Sequence, residues 1–165
     1  MYKRALVPLD GSPLAETIIP FILEIAGPLD MEVILLRVVQ PVPPVVIEAS
    51  RHVEVEDVEA RRIDAEEYLA PVAVELEGKG VRVKSQVRRG TPAPEIVAAA
   101  RETGADLIAM STHGRGGFGR MVFGSVAEAV LHRAEIPVFL MRATEAQVAR
   151  RAGREVAPTT RTGPR

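Results

Sequence analysis

Residues 106–125, with the sequence DLIAMSTHGRGGFGRMVFGS, decide how this chain folds. An apolar run predicts a β-strand over 106–110, and a segment with five glycines follows it. Sequence typical of a helix begins at Ser125, directly after the last of these glycines. A strand, a glycine-rich turn and a helix in this order indicate one unit of a parallel α/β sheet, so we expect further units of the same kind elsewhere in the chain.

Strand-like and helix-like segments alternate on both sides of this unit. Short apolar runs predict strands over residues 4–9, 32–39, 81–87, 106–110 and 137–141. Amphipathic periodicity and helix-start signals predict helices over residues 12–26, 53–77, 92–102 and 125–133, and Pro71 is expected to kink or split the second of these. Helices between consecutive strands imply parallel pairing with right-handed crossovers. The fold class is therefore a doubly wound five-stranded α/β sheet with helices on both faces.

In such a sheet, ligands bind where the strands end at their carboxyl edge. The glycine-rich turn is the strongest candidate, because glycines let successive backbone N–H groups converge on an anion. Ser125 and Glu128 have the spacing of a capping box, and the positive end of the helix that they would start favours a phosphate nearby. These features predict a phosphate site between Ser111 and Ser125.

Two common nucleotide motifs do not account for this turn. The phosphate-loop pattern G-x-x-x-x-G-K-[ST] is absent from the chain. The spacing of Gly114, Gly116 and Gly119 matches G-x-G-x-x-G, but the next strand ends in Leu-Met-Arg rather than in the carboxylate that would hold a dinucleotide's ribose. Arg115 follows the first of these glycines, where it could close over phosphates or stay an ordinary surface side chain.

A different spacing fits better. Ser111-x2-Gly114-x9-Gly124-Ser125 resembles the ATP-binding signature G-x2-G-x9-G-[ST] of the universal stress protein family. The resemblance covers residues 2–142 and includes VPLDGS at 7–12 and LRVV at 36–39. It implies a flavodoxin-like or Rossmann-like sheet of strand order 3-2-1-4-5, ATP as the ligand, and a homodimer formed through the last strand. That strand would otherwise leave an exposed edge, which independently favours a dimer.

The resemblance also implies a role for each site residue. Asp10 would lie near the ribose and adenine, and Pro8 and Val38 would lie against the adenine ring. Gly90 would sit beside the nucleotide. The residues implied to line the phosphate site are Ser111, Gly114, Gly124 and Ser125, with Arg115 as a further candidate.

Three functions stay open on the sequence alone. The first is a dimeric ATP-binding regulatory protein of the stress response, and the second is a slow ATPase or phosphotransfer enzyme that uses the same site. Rapid phosphoryl transfer needs a base and a cation clamp, and Asp10 is the one acidic candidate beside the site. The third is a nucleotide-free adaptor, because Ser111 stands where the signature has its first glycine.

Composition excludes several classes of protein. The net charge of −1 gives no reason to expect binding to nucleic acid or to acidic membranes, and the absence of cysteine excludes disulfides and thiolate metal sites. The three histidines lack metal-ligand spacing, so any metal is expected as Mg²⁺ carried by the nucleotide. No apolar run can span a bilayer, and we expect a cytoplasmic protein. Residues 1–142 are predicted to form the nucleotide-binding domain, and 143–165 a basic, flexible tail in which Thr144 and Gln147 could start a short helix.

Overall fold

The computed structural model describes residues 1–41, 53–113 and 124–153. Five parallel strands form one sheet in the order β3-β2-β1-β4-β5, which confirms the predicted fold class and strand order. The strands are β1 (Arg4–Pro8), β2 (Glu32–Val39), β3 (Arg82–Arg89), β4 (Leu107–His113) and β5 (Val138–Ala143). The helices are α1 (Pro13–Glu16), α2 (Ile19–Ala26), α3 (Val53–Glu77), α4 (Pro92–Thr103), α5 (Ser125–Arg133) and α6 (Glu145–Ala152).

Helices cover both faces of the sheet, as the continuous apolar sequence of β2 predicts. On one face, Leu35 of β2 packs in a cluster with Ile22 of α2 and Leu69 of α3. On the other face, Leu36 of β2 packs in a second cluster with residues of α4 and α5. Burial on both faces fixes the register of the central strands, and with it the place where their carboxyl ends meet.

The first helical segment differs from the prediction of one helix over 12–26. The structure has α1 and α2 in its place, separated at Thr17 and Ile18. Pro20 lies in the first turn of α2 and has no N–H to donate to the carbonyl of Glu16, so a continuous helix would lose a hydrogen bond there. The Thr17 hydroxyl instead donates to the Leu14 carbonyl at 2.6 Å, which closes α1.

The segment after β5 is ordered where the structure describes it. Thr144 and Gln147 form the capping box that their spacing predicts: Gln147 N donates to Thr144 Oγ1 at 3.2 Å, and Thr144 N donates to Gln147 Oε1 at 2.8 Å. Helix α6 follows, and its Arg151 is buried against the body of the protein. Up to Gly153 the segment is thus a docked helix rather than the flexible tail expected from its composition. The division of the chain at residue 142 stays a prediction.

Within the described residues, every helix is too short or too polar to cross a membrane.

Candidate nucleotide-binding cleft

A cleft of about 840 Å³ lies at the carboxyl edge of the sheet, where the strand order reverses between β1 and β4. Its walls are the ends of β1, β2 and β4, the start of α5, and part of α3. Ligand pockets of ordinary small molecules span about 300–1,000 Å³, so the cleft has room for a nucleotide. Six of the predicted site residues line it: Pro8, Asp10, Val38, Ser111, Gly124 and Ser125.

Asp10 belongs to a turn that opens toward the cleft. Its Oδ1 accepts hydrogen bonds from Ser12 N at 2.9 Å and Ser12 Oγ at 2.6 Å. Gly11 between them has a φ of +87°, a conformation that side-chain-bearing residues rarely adopt. The Ser12 hydroxyl also accepts from Ala15 N at 3.1 Å and so caps α1. The turn therefore holds the exposed carboxylate of Asp10 in place by local hydrogen bonds.

The two ends of the glycine-rich segment meet at the edge of the cleft formed by β4 and α5. Gly124 N donates to Thr112 Oγ1 at 3.4 Å, and Thr112 belongs to β4. The Ser111 hydroxyl lies 2.8 Å from the Thr17 hydroxyl, which anchors the end of β4 to α1. Gly114 and Arg115, the other predicted site residues of this segment, lie outside the described residues.

The start of α5 corrects the predicted capping box. Gly124 is the N-cap, Ser125 is the first helical residue, and no side chain caps the helix. Glu128 donates its backbone N–H to Gly124 O at 3.0 Å, instead of pairing with the Ser125 hydroxyl. The first backbone N–H groups of α5 and the exposed Ser125 hydroxyl thus lie at the edge of the cleft, where a helix N-terminus favours an anion.

Gly90 is the predicted site residue that the structure leaves outside the cleft lining. Its φ is +150°, and a Cβ there would approach Glu95 to within 2.7 Å. Glu95 in turn accepts from Arg88 Nε at 2.7 Å, and Arg88 also pairs with Glu102. The structure therefore gives Gly90 a packing role: it makes room for the ion pair that joins β3 to α4.

Two residues that line the cleft were not predicted from the sequence as site residues. Arg37 of β2 and Tyr68 of α3 line its α3 side, with the Arg37 guanidinium carbon 5.6 Å from the centre of the Tyr68 ring. This distance is that of a cation–π contact. A signal existed for Arg37, because it is the one charged residue inside an otherwise apolar run over 33–39. Tyr68 gave no comparable signal.

The described residues contain no group of three or more histidine, aspartate or glutamate side chains that could hold a metal ion. Asp10 and Asp64 are the carboxylates along the described part of the cleft wall.

Comparisons with known proteins agree with this architecture. The model of the universal stress protein family matches residues 1–142. Universal stress protein MJ0531 of Methanocaldococcus jannaschii is 34% identical over 142 residues, which are 86% of this chain and 83% of that protein. The solved structure of MJ0577 has a TM-score of 0.72 at 30% identity and covers 87% of this chain and 98% of its own. A universal stress protein from Archaeoglobus fulgidus, solved in complex with dAMP, has a TM-score of 0.61 at 22% identity and covers 86% of this chain and 98% of its own.

Proposed function

Because this chain belongs to the universal stress protein family, we propose that its cleft binds an adenine nucleotide, ATP in the first place, and that the protein acts as a dimeric regulator of the stress response. The observation that supports this most is the convergence of the Asp10 turn with Ser111, Gly124 and Ser125 on one cleft at the switch point of the sheet. A structural neighbour solved with dAMP adds support for the adenine nucleotide class.

The chemistry of the two walls fits the two ends of a nucleotide. Pro8 and Val38 offer apolar surface, and the Asp10 carboxylate can accept hydrogen bonds from ribose hydroxyls. The end of β4 and the start of α5 offer the first backbone N–H groups of that helix and the Ser125 hydroxyl, which suit phosphate oxygens. Mg²⁺ would be brought by the nucleotide's phosphates, with Asp10 or Asp64 as the nearby carboxylates.

The proposed dimer forms through β5, which lies at one edge of the sheet. Its apolar residues Val138 to Met141 are half-buried in the single chain, and Phe139 stacks on Phe21 with ring centres 4.1 Å apart. Among the described strands, β5 has a neighbour on one side alone, and an apolar strand with such an edge is a ready site for a second copy. The cytoplasmic location is proposed on the same family membership.

Thermal unfolding with and without ligand tests the binding proposal. A ligand that binds only the folded state stabilises it by roughly 2.7 kcal/mol at 100 times its dissociation constant. We therefore expect millimolar ATP with Mg²⁺ to raise the melting temperature by about 5 °C or more. NADH at the same concentration serves as the control and should leave the melting temperature unchanged. An ATP titration that gives neither heat nor a shift would refute the proposal and leave the nucleotide-free adaptor.

The same sample separates regulator from enzyme. Phosphate release from ATP at a rate of about 1 per second or faster, which is the range of ordinary kinases, would favour the phosphotransfer alternative. We expect no such turnover, because Asp10 Oδ1 already accepts two hydrogen bonds from Ser12.

A further inference from the structure

A buried arginine joins the C-terminal helix to the body of the protein. Arg151 of α6 is 9% exposed. Its Nη1 and Nη2 donate to the two carboxylate oxygens of Glu75 at 2.9 and 2.7 Å, and its Nε donates to Glu16 Oε2 at 2.6 Å. Bidentate pairs of an arginine with a carboxylate fix the orientation of both side chains as well as their distance. Helix α6 is thereby held against α1 and α3.

Glu16 also contacts a residue that lines the cleft. Its second oxygen, Oε1, accepts a hydrogen bond from the Tyr68 hydroxyl at 2.9 Å. Burial of the phenol and the negative charge of Glu16 both raise the pKa of Tyr68, so the hydroxyl stays protonated and keeps donating at neutral pH. The face of the same ring holds the guanidinium of Arg37. One continuous set of contacts therefore runs from Arg151 through Glu16 and Tyr68 to Arg37.

Arg37 is held in place, yet its donors are little used. Among the described residues its hydrogen bonding consists of one long contact from Nη1 to Leu9 O at 3.5 Å, and it forms no ion pair there. The guanidinium lies beside the Asp10 turn, since a Cβ on Gly11 would approach Arg37 Nη2 to 3.3 Å. A half-buried cation on a cleft wall, stacked on an aromatic face with free donors, is suited to an anionic oxygen.

We propose that Arg37 binds an anionic oxygen of the nucleotide and that helix α6 positions it through Arg151, Glu16 and Tyr68. This inference rests on the proposed nucleotide binding and adds to it a specificity residue and three positioning residues. It gives helix α6 a role in ligand binding, although none of its residues lines the cleft.

The test compares ATP with adenosine, which lacks the anionic groups. Arg37→Met should weaken ATP by about tenfold or more while the affinity for adenosine stays near that of the wild type. Arg151→Met should lower the ratio of ATP to adenosine affinity by about fivefold, the lower range of coupling between sites. Arg150→Met is the matched control, because Arg150 precedes Arg151 in α6 and is exposed. It should leave both affinities unchanged.

Because Arg151→Met leaves two carboxylates without their cation, a milder variant accompanies it. Tyr68→Phe keeps the ring and removes only the hydroxyl that donates to Glu16, and it should lower the same ratio. A ligand-free readout uses Tyr2→Phe as background, in which Tyr68 is the only tyrosine of a chain without tryptophan. Hydrogen bonding to a carboxylate quenches phenol emission, and Arg151→Met changes the partners of the carboxylate that Tyr68 contacts, so Tyr68 emission should change in Arg151→Met and stay at the wild-type level in Arg150→Met.

The outcomes separate this inference from the proposed function. A wild-type protein that binds no ATP refutes the proposed function. A wild type that binds ATP, with folded Arg151→Met and Tyr68→Phe variants of unchanged affinity ratio, overturns the positioning role alone. Equal losses of ATP and adenosine in Arg37→Met would show that Arg37 supports the shape of the cleft and binds no anion.

Discussion

At the scale of single residues, Gly124 gives the most direct test of the phosphate wall. Its φ of −57° is open to any residue, and a Cβ there would meet no heavy atom of the described residues within 4 Å. Gly124→Val should therefore fold normally while its side chain occupies the space beside the N-terminus of α5. We expect ATP affinity, measured by calorimetry, to fall by about tenfold or more, a loss of roughly 1.4 kcal/mol.

A second glycine provides the control for that change. Gly27 is exposed like Gly124, has a φ of −59° and lies at the end of α2, away from the cleft lining. Gly27→Val should keep wild-type affinity, although it should lose more stability than Gly124→Val, because Gly27 has a helical ψ of −58° and precedes Pro28, which strains a β-branched residue there. Full ATP affinity in a folded Gly124→Val protein would mean that the phosphates bind elsewhere.

Residues whose environment is local were the predictable ones. The hydrogen bonds of the Asp10 turn and of the Ser12 cap join residues within five positions of each other, so the local sequence predicts them. Arg37 and Tyr68 contact each other although 31 positions separate them in the sequence, and no local sequence pattern predicts such a contact. Gly90 was expected beside the nucleotide, but the structure shows that a Cβ there would collide with the Glu95 side chain, which Arg88 holds in place.

At the scale of secondary structure, a proline inside α3 lowers the stability of the protein. The helix continues from Val53 to Glu77 through Pro71, which is exposed and cannot donate to the carbonyl of Glu67. Pro71→Ala should raise the free energy of unfolding in urea by about 1–3 kcal/mol, because it restores that hydrogen bond and a better helix former. ATP affinity should stay unchanged. A lower stability would show that the packing of α3 depends on a bend at Pro71.

The bounds of the elements were predictable where their own sequence limits them. Helices α3 and α5 and strand β2 run over the predicted residues, because the periodicity or the continuity of their apolar residues defines them. Strand β4 runs three residues further than predicted, to His113, since Ser111, Thr112 and His113 pair with Met141, Arg142 and Ala143 of β5. A strand's length depends on its partner, and its own sequence does not contain that information.

At the scale of the whole molecule, the order of the strands could be predicted from the alternation of elements and from the family pattern. The docking of the C-terminal segment could not be predicted in this way. Its composition predicts a solvated tail, since it offers little apolar area. The structure docks its first part through charge instead, with Arg151 and Glu16 separated by 135 positions in sequence. Three hydrogen bonds from one guanidinium to two carboxylates replace the apolar contact that the composition lacks.

The proposed dimer can be tested through the direction of the backbone groups of β5. Pro137 O accepts from Ile108 N of β4 at 3.0 Å, so Pro137 faces the neighbouring strand. Successive residues of a strand direct their N–H and C=O groups to opposite edges, and Val138 and Leu140 therefore point theirs toward the outer edge of the sheet. A twin strand across a two-fold axis would pair with these groups.

Val138→Pro removes an outward donor and keeps the ladder between β4 and β5, at the first residue of a strand, where proline is tolerated. We expect light scattering at micromolar concentration to show a change from twice the chain mass to once, with thermal unfolding still cooperative. Truncation after Gly153 is the control and should stay dimeric, because it keeps both β5 and α6. A dimeric Val138→Pro protein would place the contact away from this edge, and a monomeric truncated protein would assign it to residues 154–165.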